Sequence, residues 1–175
     1  MKKYQTIYAD PPWPEHGGGK IKRGADRHYS LMTIEDITHL PVGDIAADDS
    51  HLYLWVTNNY LESGLDVMKA WGFRYITKIT WLKDMIGLGQ YFRGATEDCL
   101  FGVKGHLPYK MFEGKRIQGI TILYERRRAH SQKPDRMRQF IENVSYPPRI
   151  ELFARQKING WDCWGNEVES DIDFS

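Results

Sequence analysis

The chain has 175 residues, 41% hydrophobic and 27% charged, which suits one compact domain with a real core and is too short for two full domains. Twenty-four Lys plus Arg against 23 Asp plus Glu leave a net charge of +1, so any pull on nucleic acid has to be local rather than global. No run approaches the ~20 apolar residues of a membrane span, and no signal-peptide core follows Met1-Lys2-Lys3, so a soluble, cytoplasmic chain is expected.

In chain order, Gln5 to Ala9 is a β-prone run that stops at Asp10-Pro11-Pro12-Trp13, where two prolines forbid a central strand. A strand therefore ends at an acid. Residues 14–29, with Gly17-Gly18-Gly19-Lys20 and Lys22-Arg23, read as a basic loop with little to anchor it. Thr33 can cap a short helix carrying Ile34, Ile37 and Leu40, ended by Pro41. His51 to Val56 is almost wholly apolar, as in a strand buried on both faces, and Asn58 can cap a helix with Leu61, Leu65, Met68 and Trp71 on its inner side. Further strands are expected over 74–82, 99–103 and 120–124. Pro134 then opens a helix with Met137, Phe140, Ile141 and Val144 at helical spacing, and 149–153 forms a last strand. Alternating strands and helices predict an α/β, Rossmann-like, mostly parallel sheet with helices on both faces, whose ligands bind beyond the carboxyl ends of the strands. One domain over 1–168 is expected, followed by an acidic, frayed tail at 169–175.

Several chemistries are excluded by their missing motifs. Lys20 is followed by Ile21 rather than Ser or Thr, so the glycines before it are no phosphate loop, and Gly87-Leu88-Gly89 lacks the third glycine of a dinucleotide fingerprint. There is no G-x-S-x-G elbow, and the six histidines show no metal-ligand spacing, so no metal is expected. Cys99 and Cys163 are far apart and form no C-x-x-C pair; they read as reduced, packed thiols.

Asp10-Pro11-Pro12-Trp13 carries the chemistry. Asp-Pro also starts ordinary turns, but an acid held by rigid prolines at a strand end, beside an aromatic ring, suits a planar base with an exocyclic amine. The lone pair of that amine is delocalised into the ring. A carboxylate and the Pro11 carbonyl, accepting its two N–H groups, would localise the lone pair for attack. Trp13 or Tyr29 could stack on the base.

The chain resembles the adenine-N6 methyltransferases of the group that includes the catalytic subunit of the eukaryotic mRNA adenosine methyltransferase and its bacterial and phage relatives. The likeness runs through Tyr8 to Trp13, Leu52 to Thr57, Trp71 to Phe73, Cys99 to Gly105, Ser131 to Asp135, Ile150 to Arg155 and Trp164 to Asn166, in family order. The resemblance implies a circularly permuted sheet, S-adenosylmethionine as methyl donor, and catalysis at Asp10, Pro11, Pro12 and Trp13. It also implies that Asp10, Lys133, Arg155, Asn166 and Glu167 bind the donor, Lys133 at its methionine end and the last three at its ribose and adenine. Tyr29 and Glu97 match positions that line the acceptor pocket. Two departures stand out: the glycines of F-x-G-x-G are absent at Phe153-Ala154-Arg155, and with nine residues before Asp10 the upstream segment that contacts the donor adenine in longer relatives is expected to be absent.

Lys20, Lys22, Arg23 and Arg27 in one loop, and Arg126, Arg127 and Arg128 in another, form the expected nucleic-acid track. DNA is the preferred acceptor and RNA the alternative; a target base would be flipped out or taken from a single strand. No room for a separate recognition domain is expected, so sequence preference is assigned to the loops over 14–29, 84–96 and 106–119 or to a partner subunit, and a homodimer or partner subunit is the expected assembly. The competing reading is a catalytically inactive relative that only grips nucleic acid, and a third is an enzyme acting on cytosine or a free nucleotide.

Overall fold

Alternation of side chains on β1 (Tyr4–Ala9) and β2 (Ala46–Val56) decides how the sheet is covered. In the computed structural model, which describes residues 2–14, 32–87, 89, 91–126 and 132–174, Ile7, Ala9, Leu52, Leu54 and Val56 enter one core cluster, while Tyr8, Tyr53 and Trp55 enter a second on the opposite face. The first is covered by α1 (Ile34–His39), the short α2 (Val42–Ile45) and α3 (Leu61–Ala70) through Ile37, Val42, Val67 and Met68. The second is covered by α4 (Arg136–Val144) through Met137 and Ile141. Helices thus lie on both faces, as the alternation predicts.

The remaining strands are β3 (Arg74–Leu82), β4 (Thr96–Lys104), β5 (Met111–Phe112), β6 (Lys115–Arg116), β7 (Ile122–Tyr124), β8 (Arg149–Leu152) and β9 (Asp162–Trp164). Seven of them form one sheet in the order β7-β3-β4-β2-β1-β8-β9, and β5 and β6 pair as a separate hairpin. Every ladder in the large sheet is parallel except those of β4, which runs antiparallel to both β2 and β3. The carboxyl ends of six strands and the amino end of β4 therefore meet on one rim. Asp10, Thr57, Lys83, Glu97 and Arg126 all stand at or just beyond it.

Local signals explain some boundaries and mislead at others. Thr33 caps α1 in a full capping box with Asp36, as its position suggests. Asn58 does not cap α3: a 3-10 turn, Asn58–Tyr60, intervenes, and Leu61 and Leu65 point outward while Gly64, Val67 and Met68 are buried. The reason is the close approach of α3 to the sheet. A Cβ on Gly64 would lie 2.3 Å from Val56 Cγ1, so only glycine lets the helix sit there. Gly64→Ala is expected to destabilise the fold by about 1–2 kcal/mol net of its better helix propensity, read as a lower denaturant midpoint.

Two expectations are corrected. The strand expected over 120–124 is confined to Ile122–Tyr124, with Ile120 exposed. The tail does not fray within 171–174: Asp171 accepts from the Cys163 N–H at 2.9 Å and pairs with Lys157, while Phe174 packs edge-on against Trp164. Acidic composition misled because one carboxylate finds a backbone donor and two apolar residues, Ile172 and Phe174, reach the core. Both cysteines are buried and free.

Away from the rim, His51 is buried with Nδ1 2.7 Å from Ser145 Oγ, and burial pushes its pKa down to about 4 from the ordinary 6.5. The fold therefore holds it neutral while the unfolded chain binds a proton below about pH 6.5. That stability is complete above pH 6.5 and is lost as pH falls toward 4, by about 3 kcal/mol in total. Denaturant midpoints measured from pH 7 to 4.5 are expected to fall less steeply in His51→Gln than in the parent.

Candidate active site

Asp10 is the first residue after β1, where Pro11 and Pro12 end the ladder. Its carboxylate is clasped by Lys133, whose Nζ lies 2.8 Å from Oδ1 and 2.9 Å from Oδ2. Lys133 also reaches Glu97 Oε2 at 3.5 Å, and Glu97 Oε1 is held by Lys83. Four side chains thus form a row of alternating charge along the rim: Asp10, Lys133, Glu97, Lys83. The two ammoniums lie over two tryptophans, Lys133 at 5.6 Å from the Trp55 ring and Lys83 at 5.0 Å from Trp81. Trp55 and Trp81 meet edge-on at 6.2 Å, making a rigid floor.

Burial shapes the charges in the row. It pushes the Asp10 carboxyl above its usual range, with the Glu97 carboxylate adding to the rise, against the pull of Lys133. Burial opposes the Lys133 charge, but Asp10 and Glu97 outweigh it and hold the ammonium above its ordinary pKa. Glu97 feels the same burial, yet Lys133 and Lys83 keep its carboxyl below the usual range. The row is a nearly neutral, largely desolvated set poised around Asp10.

The other members of the motif are placed by backbone bonds. The Pro11 carbonyl accepts the Trp13 N–H at 2.9 Å, which leaves it a second lone pair. Trp13 is only 5% exposed; its Nε1 donates to the Trp55 carbonyl at 2.9 Å and its ring stacks on Tyr60 at 5.6 Å. A ring so enclosed holds the turn behind Asp10 and offers no broad face to an incoming base, unlike the stacking role expected from sequence.

β8 and β9 lie beside β1 on its other flank and bring Arg155, Asn166 and Glu167 to the same rim. Arg155 Nε is 3.7 Å from Glu167 Oε1, and Asn166 is exposed. Here the absence of F-x-G-x-G has a structural answer. Ala154 N–H donates to the Trp164 carbonyl at 2.9 Å, and a Cβ on Gly165 would lie 2.4 Å from the Ala154 oxygen. The glycine that permits close approach is therefore Gly165, just past the neighbouring strand β9, while Phe153 itself turns with φ +60°. Thr57, past β2, adds a buried hydroxyl with no hydrogen-bond partner.

The structure brings together Asp10, Lys133 and Glu97, and separately Arg155 and Glu167. Arg126 is exposed two residues past β7, at the far edge of the sheet. Lys20, Lys22, Arg23, Arg27, Tyr29, Arg127 and Arg128 lie outside the described residues. Lys83 was missed by sequence reasoning, though its spacing from Trp81 on a strand was a usable signal: residues two apart share a face. Among the described residues no group of His, Cys, Asp and Glu could hold a metal, and no helix is long and apolar enough to cross a membrane.

Residues 4–167 match the MT-A70 family. The type II methyltransferase M.MunI of Mycoplasma sp is 32% identical over 95% of this chain and 78% of its own length. The METTL3 catalytic subunit of the Homo sapiens N(6)-adenosine-methyltransferase is 29% identical over 97% of this chain, and the Drosophila melanogaster MT-A70-like protein is 30% identical over 97%. This chain spans only 29% and 28% of those two longer proteins. An acid at the end of β1, the rim built around it and a family match across almost the whole sequence agree: the chain belongs to the MT-A70 family.

Proposed function

We propose that this chain moves a methyl group from S-adenosylmethionine to the exocyclic N6 amine of adenine in DNA. The observation that carries this reading is the Asp10 carboxylate, seated where a central parallel strand ends and clasped by Lys133. Asp10 would accept one N–H of the amine and the free lone pair of the Pro11 carbonyl the other, turning the nitrogen lone pair toward the donor. Glu97 stands beside them as a further acceptor at the base edge.

The residues present fit such a donor. Lys133 offers an ammonium to a carboxylate, Arg155, Asn166 and Glu167 offer polar groups for a ribose and an adenine, and the partnerless Thr57 hydroxyl is a site a ligand would satisfy. When bound, that donor supplies an electrophilic methyl carbon on a sulfonium. Asp10 would hold the amine in line with that carbon and, as the nitrogen takes the methyl group in place of the sulfur, would accept the surplus N–H proton, for which its raised pKa suits it. Holding both partners in line supplies about 7–11 kcal/mol of the barrier reduction without a covalent enzyme intermediate.

Nucleic-acid contact falls to the exposed Arg126 and to the basic residues beyond the described ones, and we place the reaction in the cytoplasm, with a homodimer or a partner subunit assisting recognition. The test is transfer of labelled methyl to duplex DNA, single-stranded DNA and RNA, followed by digestion to nucleosides. Label in N6-methyladenine of DNA is expected. Label in RNA alone turns the acceptor to RNA, in line with the N(6)-adenosine named for METTL3. Label nowhere, with nucleic acid still bound, turns the reading to an inactive binder.

A further inference from the structure

Lys83 stands one residue past β3, outside every sequence block that carries the family resemblance. A lysine at a strand end on the rim has a stem long enough to carry its charge into water, yet its side chain is only 16% exposed. It is turned inward onto Glu97 and over Trp81. The register explains the meeting. Trp81 faces Glu97 across the β3–β4 ladder, so Lys83, two residues further, is the diagonal neighbour on the same face. Asp98 points to the other face, where Lys78 and Thr80 bond it at 2.7 and 2.6 Å.

Among the described residues Lys83 and Lys133 are the cations facing Glu97, and Asp10, the acid beyond them, feels Lys133 and the more distant Arg155. Among the described residues, Glu97 Oε2 meets Lys133 at 3.5 Å and makes no closer polar contact. Without Lys83 the row holds two carboxylates and one ammonium. Lys133 is then drawn from Asp10 toward Glu97, or Glu97 takes up a proton; either changes the charge and orientation at Asp10. We propose that Lys83 is a positioning residue for methyl transfer: by neutralising Glu97 it leaves Lys133 free to hold the Asp10 carboxylate in its working orientation. The inference rests on the function proposed above.

The test compares the full-length parent with Lys83→Met, Lys83→Gln and Lys83→Arg. Two readouts are taken: the pH profile of methyl transfer to adenine-containing DNA, and the NMR titration of the Glu97 carboxyl. In Lys83→Met, the Glu97 titration and the acid limb of the rate profile are both expected to move up, so that kcat falls severalfold at the acid end of the profile. Most of the loss is recovered at the alkaline end, and Lys83→Arg restores both profile and titration. A folded Lys83→Met with the parent's rate profile overturns the proposal. So does a loss that is uniform across pH and is not rescued by arginine, since that is packing damage. Should Lys83→Met not fold, Lys83→Gln carries the same expectation. If the parent methylates no nucleic acid, the function reading fails by itself, and an unshifted Glu97 titration in the variant then overturns this one.

Discussion

Asp10→Asn is expected to fold, bind S-adenosylmethionine and transfer methyl groups at least a hundredfold more slowly. The amide keeps the shape of the carboxylate but loses its negative charge and its capacity to take a proton. Removing one preorganised electrostatic contact to a reacting centre costs about 10²–10³ in kcat, or about 3–4 kcal/mol of barrier. On the proposed reading Asp10 meets both the amine and the donor, while Lys133, Arg155, Asn166 and Glu167 meet the donor alone, so the loss should fall on kcat more than on donor affinity, which is kept in part. Single-turnover rates with saturating donor, beside calorimetric titration of donor binding, separate the two. Near-normal turnover would remove Asp10 from the chemistry.

Lys133→Met carries the second large effect, on stability and activity together. The substitution conserves the length of the stem over Trp55 but leaves Asp10 and Glu97 facing one another with no shared cation. Removing one member of a largely buried pair costs about 3–5 kcal/mol, because the partner's charge is left without compensation. The sign of the pH dependence follows. Asp10 already binds its proton more tightly than an ordinary carboxyl, and without Lys133 it binds it more tightly still. Protonation relieves the repulsion, so the variant loses least near pH 5.5 and most near pH 8 relative to the parent. Denaturant unfolding at the two values checks this. An equal loss at both would mean that Lys133 serves as packing rather than as counter-charge.

The two substitutions also separate roles that proximity blends. Asp10→Asn leaves the ammonium in place and tests the acceptor of the amine proton. Lys133→Met leaves the acid in place and tests what keeps it ionised and oriented. On the proposed reading the rim divides into an acid that works on the amine, a lysine that holds it, and a second lysine that balances the glutamate between the two lysines.

Asp10-Pro11-Pro12-Trp13 was legible because it is local: a β-prone run followed by two prolines ends a strand wherever it occurs, and the acid is left at the end. The buried strand through Leu52–Val56 and the amphipathic stripe of Met137 and Ile141 are equally local patterns, so the α/β class and the two covered faces could be read from periodicity. Lys133 is legible through family likeness and Asp10 through its motif, but their pairing is not, since the two are 123 positions apart. What only the tertiary structure decided is strand order, the reversal of β4 and the pairings these create. Reversing β4 brings Glu97 to the same rim as the carboxyl ends of β1 and β3, which is why it meets Lys133 and Lys83. It also decided that Trp13 is enclosed by Tyr60 and that Asp171 ties the tail to β9. The physical reason is that side-chain period and turn chemistry act over a few residues, whereas the partner of a buried charge is chosen by which strand ends the whole sheet brings together.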